Sequence, residues 1–204
     1  MHQALIIFIR NPVAGKVKTR LAKTLGDDKA LLIYNHLLAH THQVTRHLDC
    51  DKFLYYSDWV EQEDDWENER YKKKLQQPGN LGERMSAAFH ELFEEGYQQV
   101  LIIGSDCIEL YEKLISNAFE ALNDNDAVIG PSSDGGYYLL GMTTYFPELF
   151  ANKKWGSSSV LTDTLMDLEI ANARVGKLII LNDIDEEKDL PEFLVQLVAD
   201  KASG

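Results

Sequence analysis

The sequence predicts a three-layer α/β fold on a mostly parallel sheet, and three observations predict it. Strand-like apolar runs alternate with segments whose apolar residues recur at helical spacing, along the whole chain. The first run, Ala4 to Ile9, is apolar at successive positions, as suits a strand covered on both faces. The most unusual polar residues follow predicted strands, at the end where open α/β sheets bind their ligands.

The elements follow in order. Lys29 to Leu48 carries Leu31, Leu32, Tyr34, Leu37, Leu38, Val44 and Leu48 at helical spacing. Lys52 to Ser57 reads as a strand, and residues 61 to 70 as a polar, mostly acidic surface loop with Glu61 to Glu69 solvated. A short strand, Tyr71 to Gln76, precedes an amphipathic helix from Leu81 to Glu95. Gln99 to Ile103 is a buried strand and Glu112 to Leu122 a helix. Asp126 to Pro131 and Tyr137 to Met142 are strands flanked by glycines. Ser158 to Leu168 is a helix, Lys177 to Leu181 a strand and Glu186 to Val198 the closing helix. No internal repeat or low-complexity linker interrupts the series, so residues 1 to 204 are expected to form a single domain.

With 204 residues, 45% hydrophobic and 26% charged, the chain has the composition of a globular domain able to bury a core without metal or disulfide staples. No apolar run is long enough to span a bilayer and no secretory leader is recognisable, so the expected location is cytoplasmic, without membrane insertion. Two cysteines, Cys50 and Cys107, make no disulfide framework or zinc ribbon and are expected as buried small hydrophobes. A formal charge of -13 argues against a nucleic acid polymer as partner, because binding a phosphate backbone needs a broad basic surface.

A small phosphorylated ligand needs only a local basic surface, and the first strand leads into one. Five basic residues (Arg10, Lys16, Lys18, Arg20, Lys23) and no acidic ones fall within the first 26 positions. Gly15-Lys16 suggests a nucleoside-triphosphatase phosphate loop, but the glycine required five residues earlier is Arg10, and Val17 stands where Ser or Thr would bind magnesium. Gly15 still permits a tight turn near a ligand. Arg20, with its planar fork, suits phosphate better than a lysine.

After the Gln99–Ile103 strand comes Gly104-Ser105-Asp106. Asp106 can hold a divalent cation, since magnesium often takes only one or two protein carboxylates, or it can cap the next helix. The segment from Gly130 to Tyr138, G-P-S-S-D-G-G-Y-Y, sets Asp134 beside Gly135 and Gly136, which allow close approach of a ligand or simply a tight hairpin. Asp183-Ile184-Asp185 offers two carboxylates at i and i+2, with Asp185 also suited to cap the final helix. Asn80-Leu81-Gly82-Glu83-Arg84 opens a helix whose free N–H groups favour an anion, unless Asn80 caps them. Asp124-Asn125-Asp126 precedes a strand and falls at the opposite edge of the sheet. His36 and His40, one helical turn apart, lack the other elements of a zinc site.

Six stretches, taken in order, resemble a bacterial glycosyltransferase-like family of the nucleotide-diphospho-sugar transferase superfamily, which also holds the molybdenum-cofactor and phospholactate guanylyltransferases. They are F-I-R-N-P-V-A-G-K-V-K-T-R-L, Q-P-G-N-L-G-E-R-M, G-S-D-C-I-E-L, G-P-S-S-D-G-G-Y-Y-L-L-G, W-G-S-S-S-V-L and D-I-D-E-E-K-D-L, spread over residues 8 to 190. The resemblance implies the A-type glycosyltransferase fold, a Rossmann-like sheet with one antiparallel strand. It implies a nucleotide or nucleotide-sugar held by Arg10, Pro12, Gly15, Lys16, Lys18 and Arg20 and by the helix start at Gly82 and Arg84. It places Mg2+ or Mn2+ on Asp106; Asp185 is the candidate second carboxylate, with the choice between Asp183 and Asp185 open. Gly135, Gly136, Tyr137, Trp155, Gly156 and Ser157 would form the sugar or acceptor side. The chain departs from the family pattern at Arg10, where lysine is usual, at Ile108, where proline is usual, and at Glu186, where threonine is usual.

Two reactions fit such a site. In glycosyl transfer a small-molecule acceptor attacks the anomeric carbon of a nucleotide-sugar, with Asp134 as candidate base and Arg20 on the phosphates. In nucleotidyl transfer a phosphorylated substrate attacks an α-phosphate and pyrophosphate leaves, which demands more cationic side chains. The family resemblance favours the first, the basic loop the second. A non-catalytic nucleotide-binding protein is the third reading, and the retained carboxylates argue against it.

Overall fold

The computed structural model describes residues 2–200 and contains one seven-stranded sheet with the order β3-β2-β1-β4-β6-β5-β7. Its strands are β1 (Gln3–Ile9), β2 (Asp51–Tyr56), β3 (Tyr71–Leu75), β4 (Gln99–Ile103), β5 (Ala127–Pro131), β6 (Tyr137–Met142) and β7 (Val175–Lys177). Only β6 runs antiparallel, between β4 and β5; every other pairing is parallel. The helices are α1 (Thr19–Leu25), α2 (Asp27–Thr45), α3 (Leu81–Glu94), α4 (Glu112–Ala121), α5 (Val160–Ile170) and α6 (Glu192–Asp200). This is the predicted fold class, including the single antiparallel strand. Among the described residues no helix is long and apolar enough to cross a membrane.

Strand alternation divides β1 between the two sides of the sheet. Leu5, Ile7 and Ile9 join Tyr34 and Leu38 of α2 and Leu114, Ile115 and Ala118 of α4 in one core. Ala4 and Ile6 join Met85, Phe89 and Leu92 of α3 and Leu168 of α5 in the other. A smaller third cluster packs Leu21 of α1, Ile33 and Leu37 of α2, and Leu194 and Val198 of α6 around Ile184. That cluster fixes the segment after β7.

Four expectations are corrected. The helix α1 falls in a stretch read as loop: it is only seven residues long, and its N-cap position, Lys18, provides no side-chain cap to announce it. The strand expected at Lys177–Leu181 pairs earlier, over Val175–Lys177, and resumes only as a bridge between Leu181 and Ser132. Pro131 brings no N–H to that ladder, the pairing of β5 shifts at Gly130/Pro131, and Ile179 and Ile180 splay outward. The closing helix begins at Glu192 because Pro191 interrupts it, leaving a 3₁₀ turn at Glu187–Asp189 and an extended Leu190. The acidic loop is anchored rather than merely solvated. Trp66 is buried edge-on against His42 and Tyr71, and Asp64 accepts hydrogen bonds from Tyr56 (2.5 Å) and Lys73 (2.7 Å).

Other readings stand. Asp126 pairs with Arg174 at the sheet edge opposite the candidate site, and the His40 ring bonds the Leu110 carbonyl. Both cysteines are free; Cys107 is buried as expected, whereas Cys50 is only half-buried.

The antiparallel strand has no room to spare. A Cβ at Gly141 would lie 2.2 Å from Leu101 Cδ2 and 2.7 Å from Val128 Cγ1, side chains of the two strands that flank β6. Gly141→Ala is therefore expected to destabilise the fold by about 1–3 kcal/mol through overpacking. Urea unfolding measures it, and an unchanged midpoint would contradict the packing described.

Candidate functional site

The C-terminal ends of β1 and β4 lie side by side, and their loops are built to stay there. Tyr34 of α2 binds both. Its hydroxyl accepts the Arg10 N–H (2.8 Å), donates to the Arg10 carbonyl (3.2 Å) and shares a hydrogen bond with Ser105 Oγ (3.2 Å). Burial, and then the Asp106 charge, keep that hydroxyl protonated. Asn11, itself buried, ties the loop to the end of β2 by donating to the Trp59 carbonyl (2.9 Å) and accepting the Asp58 N–H (3.0 Å). Gln76 donates to the carbonyls of Ile9 and Tyr55 (both 3.0 Å) and accepts from Arg84 (3.3 Å).

At the centre of this edge is Lys18. Its side chain is 5% exposed, and its ammonium lies 2.6 Å from Asp106 Oδ1 and 3.3 Å from Asp185 Oδ1. A third bond runs 2.6 Å to the Ile184 carbonyl. The neighbouring Ile184 N–H donates to the Asp106 carbonyl (2.9 Å), so the segment 183–185 is laid along the end of β4. Ile184 is buried in the third core cluster, leaving Asp183 and Asp185 to flank it. Asp185 turns to Lys18 and, at 3.7 Å, to Arg20. Asp183 turns elsewhere. Burial first, then the charges of Asp106 and Asp134, push its carboxyl from the ordinary 3.8 up to about 7, against the opposing pull of Ser132 and Lys18. Ser132 Oγ is buried beside it without well-formed hydrogen-bond geometry.

The predicted residues thus fall into three groups. Lys18, Arg20, Asp106 and Asp185 form one network, on an edge where Arg10, Pro12, Gly15 and Lys16 are exposed. Arg10 donates to the Lys16 carbonyl (3.4 Å), and Gly15 adopts φ +76, the left-handed turn expected of it. The loop was read as unneutralised in sequence; in space, carboxylates about 90 and 170 positions away neutralise Lys18 and touch Arg20.

The second group is Asp134, Gly135 and Gly136. Asp134 Oδ1 accepts the Gly136 N–H (2.8 Å), and Gly135, at φ +90, approaches the Ser158 carbonyl so closely that a Cβ would lie 2.3 Å from it. The Gly135 carbonyl accepts the Leu161 N–H (2.9 Å), binding this loop to the start of α5. Gly156, at φ +79, and Ser157, bonded to Ser159 (3.1 Å), complete that turn.

The third group pairs residues read as opposite sides of the site. A Cβ at Gly82 would lie 2.4 Å from Trp155 Nε1, so Trp155 packs on the first turn of α3. Asn80 and Glu83 close a capping box there, taking two of the N–H groups expected to attract an anion, and Arg84 donates to the Gly79 carbonyl (2.8 Å). Tyr137 and Tyr138 are mainly packing residues: the buried Tyr138 fills the space over Gly130, and Tyr137 packs against the α3 side of the core.

Tyr34, Asn11, Gln76 and Ser105 hold the site's loops and escaped the sequence reading. Tyr34 sits in an apolar helical stripe and looks like core; only Asn11, next to Pro12 at a strand end, carried a usable signal. The sequence offers Asp183 and Asp185 alike, and nothing in it separates their surroundings.

Among the described residues, no three carboxylate, imidazole or thiolate side chains converge as a ready metal cage. The donor set nevertheless suits magnesium or manganese: hard carboxylate oxygens at Asp106 and Asp183, an under-satisfied hydroxyl at Ser132, and mutual repulsion that a cation would relieve. A surface concavity of about 550 Å³ along α3 is lined by none of these residues. Its carboxylates are occupied, Glu83 in the capping box and Glu91 by Tyr55 and Lys74.

The fold is like that of the nucleotide-diphospho-sugar transferases, as a solved structure shows. The chain belongs to the family described as "Uncharacterized protein conserved in bacteria (DUF2064)", whose model matches residues 38–157. A crystal structure from Desulfovibrio desulfuricans G20, named "putative nucleotide-diphospho-sugar transferase", is similar over 99% of this chain and 96% of its own, with TM-score 0.86 and 29% identity. The 4-diphosphocytidyl-2C-methyl-D-erythritol synthase of Anaerococcus prevotii DSM 20548 shares the fold at TM-score 0.57 and 11% identity, over 98% and 96% of the chains. So does the manganese complex of Rv0371C from Mycobacterium tuberculosis H37Rv, at TM-score 0.54 and 9% identity, over 93% and 96%. No curated protein matches the chain by sequence.

The position of Asp183 makes stability depend on pH. A carboxyl whose folded value is raised holds its proton more tightly than the unfolded chain does. Its contribution is complete below the ordinary 3.8 and is lost as pH rises through about 7. Asp183→Asn should therefore melt higher than the natural chain at pH 8, by about 2–4 °C for each kcal/mol relieved. At pH 3, below both values, the difference should vanish, which thermal melts at the two pH values test.

Proposed function

We propose that this protein is a metal-dependent transferase that takes a nucleotide-sugar as donor and passes the sugar to a small-molecule acceptor. One observation carries the reading: the exposed cations Arg10, Lys16 and Arg20 share a strand-end edge with the carboxylate cluster of Asp106 and Asp183. A phosphate chain carrying a divalent cation has both kinds of partner there. The 29% identical protein named "putative nucleotide-diphospho-sugar transferase", alike over nearly the whole of both chains, supports the same class.

In this reading Lys16 and Arg20 bind phosphate oxygens, Arg20 by its planar fork. Asp106 and Asp183 would hold the divalent cation, which would supply positive charge to a leaving diphosphate. Lys18 keeps Asp106 and the segment 183–185 in register. Asp134 is exposed on its Gly135-Gly136 turn, oriented by the Gly136 N–H, and takes the acceptor's proton as the acceptor attacks the anomeric carbon. The 155–159 turn borders the acceptor side, and Trp155 serves chiefly to hold the start of α3.

Nucleotidyl transfer is the second reading, favoured by having three exposed cations between the end of β1 and the first turn of α1. It loses some force because Lys18, a fourth, is committed to carboxylates rather than available for phosphate.

Replacing Lys16 and Arg20 together with Ala should weaken nucleotide binding about 100-fold, from two charge-assisted contacts of about 1.5 kcal/mol each. The fold should be retained, since both side chains are exposed. A thermal-shift panel of nucleotide-sugars and nucleoside triphosphates, with and without Mg2+ or Mn2+, chooses between the readings. Metal-dependent stabilisation by one nucleotide-sugar and its diphosphate supports glycosyl transfer. Stabilisation by a triphosphate alone moves the assignment to nucleotidyl transfer.

A further inference from the structure

Of the five basic residues before position 26, four are exposed and one is not. Lys18 is turned inward, and its backbone adopts the left-handed conformation (φ 46, ψ 46) that residues with a side chain rarely take. Its ammonium has three donors and three acceptors around it: Asp106 Oδ1 at 2.6 Å, the Ile184 carbonyl at 2.6 Å and Asp185 Oδ1 at 3.3 Å. A residue placed to bind a ligand phosphate would keep donors for it. Lys18 has committed them all to the protein's own oxygens.

We infer that Lys18 is a resident counter-ion that competes with the divalent metal for Asp106. The inference rests on the reading that a metal binds at Asp106, and it goes further by assigning how that binding is controlled. In the nucleotide-free protein the ammonium supplies the positive charge at Asp106, holds the ends of β4 and the 183–185 segment together, and lowers the affinity for free metal. A nucleotide brings negative phosphates that offset the extra positive charge of a divalent cation beside Lys18. Metal and nucleotide therefore bind as a pair, and free metal binds weakly. The opposite assignment is that Lys18 only orients Asp106 for the metal, and the two make opposite predictions.

The test is a titration of nucleotide-free protein with Mn2+, read by electron paramagnetic resonance of the unbound ion. The natural chain is compared with Lys18→Met, Lys18→Gln and Lys18→Arg. Removing a unit charge a few Å from a divalent cation should tighten Mn2+ binding by at least about tenfold in the Met and Gln variants. Lys18→Arg keeps the charge and should bind as weakly as the natural chain. In the absence of metal the Met and Gln variants should melt lower, and Mn2+ alone should restore more of their melting temperature than it adds to the natural chain. If Met fails to fold, Gln carries the same comparison with a polar side chain. Equal or weaker Mn2+ binding by the neutral variants, with the natural chain still binding Mn2+ alongside a nucleoside diphosphate, would overturn the counter-ion role and leave the metal site standing. Absence of Mn2+ binding by every form, with or without the diphosphate, would overturn both.

Discussion

The ammonium of Lys18 joins three pieces of chain that are remote in sequence: the loop after β1, the end of β4 and the segment after β7. Without it, Asp106 and Asp185 would face each other across that junction with no internal cation between them. The Lys18 side chain is nearly buried while both carboxylates stay partly exposed, and burying an ammonium is tolerated only when its geometry and hydrogen bonds are good. Here the geometry is good, because Ile184 is anchored in apolar packing and presents both its N–H and its carbonyl to this junction. The acidic segment is thus placed by an isoleucine.

Similar logic runs through the rest of the edge. The Tyr34 hydroxyl and the Asn11 and Gln76 amides satisfy loop backbone groups that would otherwise be buried unpaired next to the sheet. Glycines then set the close approaches: Gly82 lets Trp155 lie on the start of α3, and Gly135 lets the Asp134 turn meet the start of α5. The charged residues therefore stand on rigid supports rather than on free loops, the arrangement that positioning chemistry requires.

The fold was largely legible, since period-2 and period-3.6 patterns survive wherever an element has one face on a core. What was lost was local. The helix α1 lacks a capping signal, and the last strand and helix are broken by Pro131 and Pro191, whose effect depends on which ladder or turn needed the missing N–H. In the candidate site, residue identities were readable and orientations were not. Asp183 and Asp185 are the same residue two positions apart, and only their surroundings in the fold separate them: Asp185 pairs with Lys18 and Arg20, while Asp183 lies by Asp106 and Ser132. Lys18 likewise looked equivalent to Lys16 until its partners, far away in sequence, came into view.

The central claim is that the ends of β1, β4 and the 183–185 segment form one metal–nucleotide site. Crystals grown with Mn2+ and a stabilising nucleoside diphosphate, measured at the manganese absorption edge, test it most directly. The account predicts an anomalous peak in contact with Asp106 and Asp183, with phosphate density between it and the Lys16–Arg20 turn. A peak elsewhere, such as at Glu83 or Glu91 along α3, or phosphates bound away from the first loop, would contradict it.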